Sequence, residues 1–127
     1  MKALGGKLLM AIGVIHCSVG LAFGLDTLSE IVSDGFVAAI EPHVDRMYWF
    51  WFMMTGLLMM ALGQLANTVE RRGDALPRYL GCEILALGVF ATAAIPVSGG
   101  WLVIGAGLYL LLKRSQKASR SVSRGAV

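Results

Sequence analysis

The sequence predicts an all-α integral membrane protein: a four-transmembrane-helix bundle, N-in/C-in, with a short amphipathic outer helix between helices one and two. Three observations predict it. The chain is 57% hydrophobic and 15% charged, with a mean hydropathy of +0.71, whereas about a quarter of the residues in a soluble domain are charged. Ten of its eleven Lys and Arg residues fall in three stretches separated by apolar runs: Lys2 and Lys7; Arg71, Arg72 and Arg78; and Lys113, Arg114, Lys117, Arg120 and Arg124. Basic residues near membrane spans stay cytoplasmic, so an even number of spans must separate each stretch from the next. The third observation is length. In 127 residues there is room for one domain, and four spans of roughly 20 residues each use most of it.

Helix one is expected over 8–25, LLMAIGVIHCSVGLAFGL, with Lys7 snorkelling at its start. The competing reading of this segment is a cleavable signal peptide, with Lys2 and Lys7 as its basic start and Ala22-Phe23-Gly24 as its cleavage site. His16 before Cys17 does not suit a lipoprotein cleavage box. From Asp26 to Glu41 the pattern turns amphipathic: Leu28, Ile31, Val32, Gly35, Phe36 and Ala39 recur at spacings of three and four, which predicts a short helix lying along the outer surface. This connection holds five acids, Asp26, Glu30, Asp34, Glu41 and Asp45, against the single base Arg46, the balance expected of a non-cytoplasmic face.

Helix two, 47–66, opens on Tyr48-Trp49-Phe50-Trp51-Phe52, rings that prefer the level of lipid head groups. The segment NTVERRGDALPR is expected as a polar cytoplasmic loop, with Gly73-Asp74 as turn residues and Pro77 beside the next helix start. Helix three spans 79–95. Pro96-Val97-Ser98-Gly99-Gly100 makes a compact turn, and a shorter fourth helix over 100–112 ends at a basic cytoplasmic tail, 113–127.

Sixteen glycines in so apolar a chain point to close helix packing, because small residues let membrane helices approach one another. Gly13, Gly20 and Gly24 share a side of helix one, Gly56 and Gly63 a side of helix two, and Gly81 and Gly88 a side of helix three. Gly20-x-x-x-Gly24 is also the expected place for a homodimer contact.

The succession Gly13-Val14-Ile15-His16, Asp34-Gly35-Phe36, Trp51-Phe52 with Gly56, Leu62-Gly63 and Pro96-Val97-Ser98-Gly99-Gly100-Trp101-Leu102 resembles a family of small four-helix bacterial membrane proteins classified as a domain of unknown function. The likeness covers most of the chain up to the basic tail. In that family an aromatic or apolar residue stands where Glu83 is found here, and an aromatic residue where Gly100 is found. The resemblance implies the fold and a place in the bacterial cytoplasmic (inner) membrane, and it carries no activity with it.

Ionisable groups at membrane depth are costly enough to be functional candidates, and His16 and Glu83 are such groups. At about 1.5 Å per residue, Glu83 lies roughly 8 Å beyond Arg78, Tyr109 roughly 6 Å from Lys113, Gln64 roughly 9 Å from Glu70 and His16 roughly 13 Å from Lys7. The expectation is a polar cluster of His16, Gln64, Glu83 and Tyr109 open to the cytoplasm, able to hold a small polar head group or relay a proton. The alternatives are structural: a neutral, satisfied His16, and a Glu83 paired with Lys7, Arg78 or Lys113.

On the outer face the candidates are His43, Asp45, Arg46 and Ser98. Glu41-x-His43-x-Asp45 has no second cluster to complete a metal site, His16 and His43 differ too much in depth for haem ligation, and Cys17 and Cys82 differ too much for a disulfide. Neither metal nor cofactor is expected. Met53, Met54, Met59 and Met60 read as flexible packing, and no Ser-His-acid set or phosphate loop is present. A charge of +3 whose bases flank apolar spans favours lipid head groups over nucleic acid as partner. The function these features favour is a non-enzymatic accessory component that binds a lipid, quinone or partner protein, as a homodimer or within a larger membrane complex. A small proton-coupled transporter is the alternative and a membrane enzyme the third reading.

Overall fold

A computed structural model describes the backbone of residues 4–125 and the side chains of residues 4–113. Lys2 and the side chains of Arg114, Lys117, Arg120 and Arg124 lie outside the described residues. Four helices account for the fold, and the described residues contain no strand: α1 Leu4–Ser33, α2 Val44–Arg71, α3 Arg78–Ala94 and α4 Gly100–Gly125. Two of them, α1 with 30 residues and α2 with 28, are long and apolar enough to cross a membrane. The 17-residue α3 and the apolar part of α4, Gly100–Lys113, are shorter.

The expected amphipathic helix over 26–41 is not a separate element. α1 continues unbroken to Ser33, because nothing between Leu25 and Ser33 stops a helix; the change from all-apolar to amphipathic marks a change of surroundings, not an end. Gly35 makes the end. Its φ of +90° is one that a residue without Cβ adopts freely. The Phe36 N–H donates to the Ile31 carbonyl at 2.9 Å and the Gly35 N–H to the Val32 carbonyl at 3.1 Å, the paired bonds of a glycine C-cap.

α2 ends the same way. Gly73 has φ +85°; the Asp74 N–H donates to Val69 at 3.3 Å and the Gly73 N–H to Glu70 at 3.1 Å. The first residues of NTVERRGDALPR, through Arg71, are therefore helix and not loop. α4 is likewise longer than 100–112, since no Pro or Gly interrupts the chain between Leu112 and Gly125.

α1 and α2 form one antiparallel hairpin and α3 and α4 a second. The hairpins meet along a narrow α1–α4 seam, giving the order α2–α1–α4–α3, and among the described residues no helix contact closes the ring between α2 and α3. The four expected helices are present, arranged as an open layer. Glycines explain the tightness of each pair. Gly6, Gly13 and Gly20 on α1 and Gly56 and Gly63 on α2 recur every seven residues, a period that keeps one stripe against a partner over several turns. A methyl on Gly13 would stand 2.7 Å from the Gly56 carbonyl oxygen, and one on Gly63 2.8 Å from the Gly6 oxygen. In the second hairpin, Gly88 packs on the Ile104 backbone and Gly107 on that of Leu85. The shared core is small: Leu9 and Ile12 of α1, Ala66 of α2, Ile84 of α3, and Ala106 and Leu110 of α4.

Candidate functional site

Up-and-down connectivity gathers Lys7, Arg71, Arg72, Arg78 and Lys113 at one end of the layer, the basic end, and the acidic turn between α1 and α2 at the other. The principal polar site lies at the basic end, where α1 begins, α2 finishes and the apolar part of α4 runs out. The first N–H groups of a helix have no partner within it. Here Glu70, the penultimate residue of α2, supplies one: its Oε2 accepts from the Gly6 N–H at 2.9 Å and its Oε1 from the Gly5 N–H at 3.3 Å. Lys113 Nζ donates to the same Oε1 at 2.8 Å. Only 7% of the Glu70 side chain and 23% of the Lys113 side chain are exposed. Absence of a side chain at Gly5 lets the carboxylate reach the backbone; a methyl there would stand 2.8 Å from Oε1. One carboxylate thus meets the positive end of the α1 dipole and a lysine at once.

Tyr109 belongs to this site, half-buried with its ring centroid 5.7 Å from Lys113 Nζ, a cation–π distance. The other members of the expected polar cluster do not join it. His16 is half-buried and stacked on Phe52, with ring centroids 3.9 Å apart and planes inclined by 15°; its Nε2 is buried and has no hydrogen-bond partner among the described residues. Gln64 is exposed on α2, and Glu83 is exposed on α3. The acid that meets Lys113 is Glu70, which the sequence placed in a loop.

At the acidic end Arg46 is the hub. Its guanidinium donates from Nη1 to Asp34 at 2.8 Å and to the Ala39 carbonyl at 2.7 Å, and from Nη2 to Glu30 at 3.3 Å. The hydrogen bond to Asp34, aided by its charge and by Glu30, raises the Arg46 pKa further above its usual value despite desolvation. The turn it holds includes Phe36 at φ +64° and Ala38 at +58°, left-handed conformations that cost residues with a Cβ about 1–2 kcal/mol each. Arg46 fastens the turn that these residues strain. His43 and Asp45 are exposed beside it, and His43 stands before α2 without capping it through its side chain.

Ser98 is local to the start of α4, accepting the Gly100 N–H at 3.2 Å, while Trp101 Nε1 donates to the Pro96 carbonyl at 3.1 Å. Thr92 packs against Gly100, its Oγ1 buried and without a hydrogen-bond partner among the described residues. Cys17 is buried and Cys82 exposed, both as free thiols. Of the remaining glycines singled out by sequence, Gly20 faces Met53 and Phe52, and Gly24 faces Trp49, so the Gly20-x-x-x-Gly24 stripe is already occupied by α2.

A model of a family of unknown function (DUF6463) matches residues 1–117. No curated protein and no solved structure matches the chain.

Proposed function

The chain belongs to that family of unknown function, and from the geometry above we propose that it is a non-enzymatic accessory component of the bacterial cytoplasmic membrane. It crosses the bilayer four times with both termini cytoplasmic, and it works by associating with lipid and with other membrane proteins. The observation that carries this reading is the segregation of charge by end, with exposed apolar side chains between. Lys7, Arg71, Arg72, Arg78 and Lys113 mark the cytoplasmic end by the positive-inside rule. Asp26, Glu30, Asp34, Glu41 and Asp45 mark the other, close to Tyr48, Trp49 and Trp51. Between them Phe23 is 75% exposed and Phe90 78%, a disposition that lipid satisfies and water does not.

The scattered polar groups support an accessory role over catalysis or transport. His16, Gln64 and Glu83 face separate surroundings, and the open order α2–α1–α4–α3 does not wrap a path within one chain. Alkaline extraction should leave the protein in the membrane pellet. A label placed between Gly73 and Pro77 should react only from the cytoplasmic side, and gentle detergent extraction should bring down a stoichiometric membrane partner or a retained lipid or quinone. Proton-driven uptake or export that disappears in Glu83→Gln would replace this reading with transport.

A further inference from the structure

We propose that the free face of α3 pairs in parallel with α3 of a second copy of this chain, about a two-fold axis. α3 packs on α4 through Gly81, Ile84 and Gly88, which are buried. Its opposite side carries an open apolar groove lined by Cys82, Leu85, Ala86, Val89, Phe90 and Ala93. Written as a heptad, Tyr79, Ala86 and Ala93 take position a, Cys82 and Val89 position d, Glu83 and Phe90 position e, and Arg78 and Leu85 position g. Every residue of the groove is then a seam position of a two-stranded coil. Cys82, Ala86 and Ala93 make a floor that permits close approach, and Leu85 and Phe90 wall it.

Charge selects a second copy as the occupant. In a parallel coil a g residue meets the partner's e residue five positions later. Arg78 and Glu83 stand at that spacing with opposite charge. Both are exposed, and among the described residues neither is in an ion pair. Five residues apart, they point about 140° away from each other and cannot pair on their own helix. A two-fold partner supplies both complements, Arg78 to the second copy's Glu83 and the reverse. This covers a carboxylate that is costly to leave facing lipid. The parallel sense rests on the membrane reading above, because copies with one topology present α3 in one direction.

The test uses the full chain in native membranes. Copper-phenanthroline oxidation should join copies through Cys82, which lies at a d position near the axis. Cys82→Ser should abolish the dimer band, adding Ala86→Cys should restore it, and adding Leu87→Cys, at the outward b position, should not. Arg78→Glu or Glu83→Arg alone should lower the cross-linked fraction about fivefold, and the two together should restore it. Alkaline extraction is scored on the same samples. Chain retained in the membrane without a Cys82 dimer overturns the pairing and leaves the membrane reading standing, whereas chain released from the pellet overturns the membrane reading itself. Equal cross-linking through Leu87→Cys, failure of the double reversal to rescue, or a different protein or a quinone recovered in the groove also overturns the pairing.

Discussion

Glu70 and Lys113 meet at 2.8 Å although 43 residues separate them in sequence, and the same carboxylate holds the first two glycine N–H groups of α1. The start of α1, the end of α2 and the middle of α4 are thereby tied together by one side chain. Among the described residues the backbones of the two hairpins come close only along α1 and α4, so this side-chain contact from α2 to α4 does more to set their relative position than its size suggests.

Glu70→Ala removes the carboxylate that Lys113 and both N–H groups share at a largely buried site. We expect a loss of about 2–3 kcal/mol, with Glu70→Gln costing less because its amide oxygen still accepts one bond. Unfolding in detergent micelles measures both, and a loss below about 0.5 kcal/mol for the alanine variant would show that the contact is incidental.

Gly13→Leu forces a side chain into the space where α1 and α2 touch backbone to backbone. The expected cost is about 2–3 kcal/mol or failure of the hairpin to form. Gly105 is the contrast: nothing lies within 4 Å of a methyl placed there. Gly105→Ala should therefore stabilise α4 by about 0.5–1 kcal/mol through helix propensity alone. Equal effects of the two substitutions on the melting temperature would contradict the packing described.

His16→Phe separates stability from role. The ring already stacks on Phe52 with a buried nitrogen that lacks a partner among the described residues, so an apolar ring of similar shape should leave stability unchanged or raise it by about 1 kcal/mol. Retained stability together with loss of a retained lipid or quinone, read by mass spectrometry after gentle extraction, would assign the imidazole to ligand binding.

Arg46→Ala should loosen the turn between α1 and α2, seen as faster proteolysis within residues 35–40, and Arg46→Lys should recover only part of the protection because it cannot hold three acceptors in one plane. The sign of the pH dependence follows from the raised pKa of Arg46. A cation whose folded pKa lies above its unfolded value gives its full stabilisation below the unfolded value and loses it only as pH climbs through the folded one. That window is strongly alkaline, so protection should stay constant from neutral pH into the mildly alkaline range. A decline there would indicate a different group.

Hydropathy made the number and order of the helices legible, and the glycine stripes made their packing sides legible. Helix ends were less so, because apolar character fades at Leu25 and Ala66 while the backbone stays helical until Gly35 and Gly73 stop it. Those two glycines were the available signal. Depth along a helix can be counted from the basic flanks, but rotation about its axis and the order of neighbours cannot. Gln64 and Glu83 are exposed on α2 and α3, and His16 stacks on Phe52, about 18 Å along α2 from Gln64, so the cluster fails in depth as well as in rotation. Glu70 went unnoticed because its partners, the start of α1 and Lys113, become neighbours only once α4 lies beside α1.

Stiff paired rods welded along one thin line bend at the weld. Lateral pressure, or an adjacent protein leaning on either hairpin, would turn into a change of angle between the two hairpins before it disturbed either one, with the Glu70 carboxylate acting as the pin at one end of the hinge.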